Sequence, residues 1–340
     1  MRRSSVPARL ITIAIALVLT PIGVGLLTAG GRAWVLSFFR YARTDIDLGQ
    51  IGGPLLLQVS GILLLIIVVL TGIWSSAGLL AVGALALIPL VFAVFPAALM
   101  GVTRVVQLPL EVIDTFIYGV PLLVFAVLGT MGLVIALVRR RPEPKGAALG
   151  AVGIVLAPIL LAGGAWLLAW GLGRGTLMSF QRFEFDLQPD AAAAVVVGIA
   201  LIVAGVGVTR WSPFALVLPA VALLVLSVLI VLPGDLMSVF FGLPRELSTL
   251  LSTLLLLGAG TASALIYLAF TAVLLRVRAQ ARLAPVTPAV GPTDGDPPQQ
   301  DPIYPPSPAQ YFPGTGVGPG MQSPAVPPYP PAPGAEGSRS

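Results

Sequence analysis

Eight apolar runs follow one another along this chain, most of them near or above the ~20 residues a helix needs to cross a bilayer. They cover residues 10–30, 54–73, 77–100, a fourth ending at 138, then 146–172, 191–208, 213–232 and 247–275. In hydrocarbon every backbone N–H and C=O has to find its partner within the protein, so only helices and closed barrels span a membrane. Barrel strands are about half this length and alternate apolar with polar residues. These runs do not alternate, and none contains Asp, Glu, Lys or Arg. The expectation is an all-α integral membrane protein with eight transmembrane helices.

Composition narrows the chemistry. Charged residues make up 10% of the chain, against roughly 25% in an ordinary soluble domain. Cys and His are absent, which removes disulfides, thiolate nucleophiles, Cys/His zinc sites and imidazole-dependent triads. The formal charge of +5 does not point to nucleic acid, because the arginines gather at the ends of apolar runs and not along one face. No cofactor or metal is implied.

The runs fall into two sets of four, separated by Arg139-Arg140-Arg141-Pro142-Glu143-Pro144-Lys145. Landmarks recur across that divide in the same order. Thr20-Pro21-Ile22 is answered by Ala157-Pro158-Ile159, Trp74-Ser75 by Trp211-Ser212, and Pro96 by Pro233, each 137 residues on. Asp45-Ile46-Asp47-Leu48 is answered by Glu184-Phe185-Asp186-Leu187 at 139, and Leu108-Pro109-Leu110-Glu111 by Leu243-Pro244-Arg245-Glu246 at 135. The chain therefore reads as two tandem four-helix repeats, 1–139 and 140–282. An even number of spans makes both copies enter the membrane from the same side, so the repeats are parallel, related by an axis along the membrane normal. The internal copy of the first run, and its length beyond the ~7–15 residue core of a signal peptide, make the segment behind Arg2, Arg3 and Arg9 a span and not a leader.

Orientation follows from the bases. With the N-terminus inside, the inner side holds Arg2, Arg3, Arg9, Arg139, Arg140, Arg141, Lys145, Arg210, Arg276, Arg278 and Arg282 against Glu143 alone. The outer loops carry seven bases and nine acids. This predicts a multi-pass plasma-membrane protein with both termini cytoplasmic. Residues 283–340 differ in kind: seventeen of these 58 are proline. Such a stretch has too little apolar surface to bury and is expected to be disordered, locally polyproline II. Pro324-Ala325-Val326-Pro327 and Pro305-Pro306-Ser307-Pro308 have the spacing that polyproline-binding grooves read.

The candidate site residues are few. The acidic pairs Asp45 with Asp47 and Glu184 with Asp186 alternate with apolar residues, which predicts a short extended segment in the first outer loop of each repeat, wet on its acidic side. Arg43 and Arg182 would brace these segments, or two carboxylates would share a hard cation. Asp45-Ile46-Asp47 after the first span resembles the acidic pair in the first outer loop of polyprenyl-phosphate-sugar glycosyltransferases, and that resemblance implies a membrane enzyme using the outer acids. The large outer domain and the basic or His-containing phosphate sites of that family have no counterpart here. Each unit also resembles claudin-like tetraspan proteins in topology, without their Trp and Cys signature. Pro21 and Pro158 occupy matching positions and are candidate hinges, and Trp74 and Trp211 are interface anchors. Gln58, Ser60, Thr130, Ser227, Ser248 and Ser252 are the notable polar groups within runs, expected to hydrogen-bond across helices or to their own backbone.

Taken together these features point to a non-catalytic membrane scaffold with a proline-rich recruiting tail. Its partners would be the lipid bilayer and a cytoplasmic polyproline-binding protein, with no nucleic acid. The alternatives are a small-solute or lipid permease with a path between the repeats, marked by a cavity lined by Gln58, Thr130 or Ser227, and the glycosyltransferase-like enzyme.

Overall fold

The computed structural model describes residues 6–41, 48–107, 109–140, 147–229 and 257–283, with the single positions 242 and 255. They belong to one unit, Met1–Val286, and every regular element among them is helical. The second unit, Thr287–Ser340, which contains most of the proline-rich stretch, lies outside the described residues.

The first helix, α1 (Val6–Tyr41), is 36 residues long and passes through Pro21 without a break. The second, α2 (Leu48–Thr71), follows it. The polar loop expected over 31–53 is thus mostly helix. The pair Gly30-Gly31 reads as a stop, yet glycine costs a helix interior only about 1 kcal/mol, and here both glycines sit where neighbours press close. A Cβ at Gly30 would lie 2.6 Å from the Gln58 backbone nitrogen, and one at Gly31 would collide with the Leu257 backbone.

A tight turn over 72–76 leads to α3 (Ala77–Leu85), α4 (Leu87–Val94) and α5 (Pro96–Val105). The break at Ala86 has a local cause. Pro89 cannot donate to the Leu85 carbonyl and its ring crowds that group. Pro96 opens α5 at its first position, where a missing N–H costs nothing. The short α6 (Leu110–Ile117) is followed by Gly119, whose φ of 68° reverses the chain into α7 (Val120–Arg140).

The remaining described elements belong to the second half. Its first helix, α8 (Ala147–Leu172), continues through a π-helical turn (Gly173–Leu177) into α9 (Met178–Arg182). Helix α10 (Pro189–Gly207) returns, and 3₁₀ turns at Val208–Arg210 and Pro213–Leu216 lead into α11 (Val217–Leu229). The last helix, α12 (Ala259–Leu283), again follows a positive-φ glycine, Gly258 at 81°. The strand-like segment expected around Glu184 and Asp186 does not form: residues 184–188 are neither helix nor strand, and Phe183 before them is left-handed with φ 58°. A single extended segment has no neighbouring strand to take its backbone groups. Its counterpart around Asp45 and Asp47 lies outside the described residues.

Among the described residues seven helices are long and apolar enough to cross a membrane: Val6–Leu36, Gly52–Thr71, Ala77–Val94, Val120–Arg140, Ala148–Arg182, Pro189–Arg210 and Ala259–Gln280. These fit a multi-pass membrane protein. The span expected at 213–232 corresponds to the shorter apolar helix Pro213–Leu229. Packing pairs α1 with α2 and α8 with α10, then α3 with α7 and α11 with α12. Between these groups α2 lies against α12 and α10 against α7, with α7 and α12 also in contact. The core centres on α7 and α12, where Leu128, Met131, Ile135, Phe270 and Leu274 are fully buried.

Candidate functional site

The acids that the sequence singles out are solvent-facing where they are described. Glu184 and Asp186 are exposed, and Arg182 ends α9 without pairing to either among the described residues. On the apolar side of that segment Phe185 packs edge-to-face on Phe180 at 5.3 Å, while Phe183 and Leu187 stay exposed. Among the described residues no three of His, Cys, Asp or Glu come together as metal ligands. Asp45, Asp47, Ser248 and Ser252 lie outside the described residues. Pro21 and Pro158 both sit inside continuous helices. Trp74 stands 67% exposed on its turn, as an interfacial ring would, whereas Trp211 is half-buried beside Ala157, Val208 and Ala215.

Polar groups within the helices turn to backbone. Gln58 Nε2 donates to the Leu257 carbonyl at 3.0 Å, tying α2 to the turn before α12. Thr130 donates to Ala126 O at 2.7 Å, Thr71 to Val68 O at 2.7 Å and Thr271 to Tyr267 O at 2.9 Å, each on its own helix. Ser60 is exposed, and the buried Ser227 hydroxyl has no partner among the described residues.

The strongest polar device is one the sequence reading did not pick out. The Arg139 guanidinium donates through one nitrogen to Gly72 O at 2.6 Å and Ile73 O at 2.7 Å. Arg278 donates in the same way to Thr209 O and Arg210 O, both at 3.0 Å. In each half the last helix thereby clasps the C-terminal end of the second, where carbonyls lack intrahelical partners and the helix dipole is negative. The geometry recurs with the numbering. Arg139 and Arg278 are 139 residues apart, as are Gly119 and Gly258, and each arginine lies 20 residues beyond its glycine. That spacing was legible in the chain, but a lone glycine and a lone arginine carry no weight until the structure shows what they touch.

At the opposite end the charges pair with acids. Arg32 on α1 meets Asp114 on α6 at 2.6 Å, and Arg174 meets Asp190 at 3.1 Å with its guanidinium 5.3 Å from the centre of the Trp170 ring. Beside the first pair, Thr115 donates to Thr28 Oγ1 at 3.0 Å, which donates on to Val24 O at 2.9 Å. Burial, reinforced by the Asp114 charge and opposed by Arg32, holds the Tyr118 hydroxyl above the ordinary tyrosine range, so it stays neutral.

A cavity of about 370 Å³ opens among α8, α11 and α12. Its wall is almost wholly apolar and includes Pro158, Ala162, Ala222, Leu226, Ser263 and Tyr267. Gln58, Thr130 and Ser227 are not part of it. One signal for it was present in the sequence: Tyr267 stands deep inside the run 247–275.

No protein-family model matches the chain, and no curated protein or solved structure matches it.

Proposed function

We propose that this chain is a non-catalytic plasma-membrane scaffold: eight spans built as a doubled four-helix unit, with both termini cytoplasmic and residues 283–340 recruiting a polyproline-binding partner. The observation that carries this reading is how the polar groups within the spans are used. Arg139, Arg278, Gln58 and Thr130 each bond to backbone of the protein itself. A transporter driven by ions keeps such groups facing a path, at a cost its function justifies. Here Arg139, Arg278 and Gln58 tie one element to another, and Thr130 bonds back to its own helix. The helices also meet backbone to backbone, as where a Cβ at Gly83 would lie 2.6 Å from Gly129 Cα. Small residues at such crossings are how helices cohere in lipid.

The doubled unit is supported by the paired arginine clasps, the paired positive-φ glycines and the matching helix partners in each half. The inside placement of the termini rests on the clustering of bases at that end of the bundle. The test of the function is affinity purification of the full chain and of a chain lacking 283–340 from the same membranes. An SH3-, WW- or EVH1-type protein is expected with the first and absent from the second. An unchanged partner set sinks the recruiting role.

A further inference from the structure

We propose that the cavity among α8, α11 and α12 binds one uncharged, single-chain lipid whose hydroxyl or carbonyl oxygen accepts a hydrogen bond from Tyr267. Four observations lead there. First, the space is large and dry in character: at about 370 Å³ it is more than twice the ~150 Å³ apolar cavity that takes up a benzene-sized molecule and excludes water. Second, its surroundings are hydrocarbon. Tyr267 lies eight residues into the span Ala259–Gln280, about 12 Å along the helix at 1.5 Å per residue, near the middle of a ~30 Å core. Third, the wall is open at its side, where Ala162, Ala165 and Ala222 are exposed, so a chain from the surrounding bilayer slides in laterally. Fourth, the Tyr267 side chain is 4% exposed and makes no hydrogen bond to any described residue. In apolar surroundings a hydroxyl without an acceptor forgoes the hydrogen bond that water would give it. A ligand oxygen at that point recovers the loss, and its absence from a plain hydrocarbon tail gives the site its selectivity.

The first half indicates that the space is not a by-product of the architecture. This step rests on the repeat reading. The positions matching Ala222, Ala259, Gly260 and Ser263 are Leu85, Val120, Pro121 and Val124. Larger side chains stand at each, and Val120, Pro121 and Val124 are buried. Tyr267 itself is matched by Leu128, also fully buried. At these α11 and α12 positions the second half carries smaller side chains, beside the hydroxyls of Ser263 and Tyr267, and a void stands there.

The test is photolabelling of the full chain in nanodiscs with a hexadecanol bearing a diazirine and an alkyne, alongside the same probe without its hydroxyl. The expected result is saturable labelling, displaced by excess hexadecanol, with modified peptides confined to 158–165, 219–226 and 259–267. Tyr267→Phe, which keeps the volume, is expected to weaken the hydroxyl probe about five- to tenfold and to leave the hydrocarbon probe unchanged. Ala222→Leu with Ser263→Val, the side chains of the first half, is expected to abolish saturable labelling while the protein stays monodisperse. Should that double variant fail to fold, the displacement and Tyr267→Phe arms still decide. Labelling that does not saturate and spreads over all lipid-facing helices means annular lipid only and overturns the proposal. Equal loss of both probes in Tyr267→Phe overturns the hydrogen bond. Either failure leaves the scaffold reading and its tail-deletion test untouched.

Discussion

Arg139 and Arg278 do the same task in two places. Each satisfies two carbonyls at the end of a neighbouring helix, where water is scarce and an unpaired acceptor is costly. Hydrogen bonds from a charged donor contribute about 1.5–3 kcal/mol, so Arg139→Gln and Arg278→Gln should each lower the thermal midpoint of the detergent-solubilised protein by similar amounts. A fluorescence-monitored melt checks this, and a large effect in one variant with none in the other argues against equivalent halves. Gly119 and Gly258 form a second residue-scale pair. Alanine at either has to adopt positive φ and to collide, at Gly119 with the Leu172 side chain and at Gly258 with Gln58 Nε2, 2.5 Å from its Cβ. Both replacements should destabilise by more than the ~1 kcal/mol scale of a compatible Gly→Ala change. Gly25→Ala is the control: nothing lies within 4 Å of its Cβ, and that variant should melt at or slightly above the parent.

At the scale of elements, length is the informative quantity. A 36-residue helix runs about 54 Å, well beyond a ~30 Å hydrocarbon core. The first helix of each half therefore projects past the apolar zone, and the projecting ends carry Arg32 and Arg174, each held by an acid on another element. The 31–53 segment was read as a loop because glycines and arginines there look like an ending. In the structure α1 runs through Gly30 and Gly31 to Tyr41, and these glycines serve close packing against α2 and the Leu257 backbone. Close approach also governs α3 on α7, where Gly83 and Gly129 meet backbone to backbone. Gly83→Leu would have to push two helices apart, and overpacking of this kind costs about 1–3 kcal/mol or more. Its expected outcome is loss of the monodisperse peak in size-exclusion chromatography, while Gly101→Ala, with open space around it, should behave as the parent does.

For the whole molecule, the absence of cysteine makes orientation simple to read. Asp186→Cys should react with a membrane-impermeant maleimide on intact cells, and Arg140→Cys only after permeabilisation. The reverse pattern places the arginine-clasped end outside. That the chain is built of apolar, membrane-length helices was legible in the sequence, although among the described residues seven such helices form and the run at 213–232 gives only the shorter Pro213–Leu229. Twenty-odd apolar residues without a charge have one low-energy arrangement in hydrocarbon, because a helix satisfies its backbone within itself and needs nothing from its neighbours. Which helix lies beside which could not be read that way. The clasps, the glycine crossings and the void around Tyr267 exist only between elements, and side chains of nearly equal hydropathy leave no periodic mark to announce their neighbours. Tertiary packing settled those, through the fit of small residues against backbone and of two guanidinium groups against the carbonyls that a helix end leaves open.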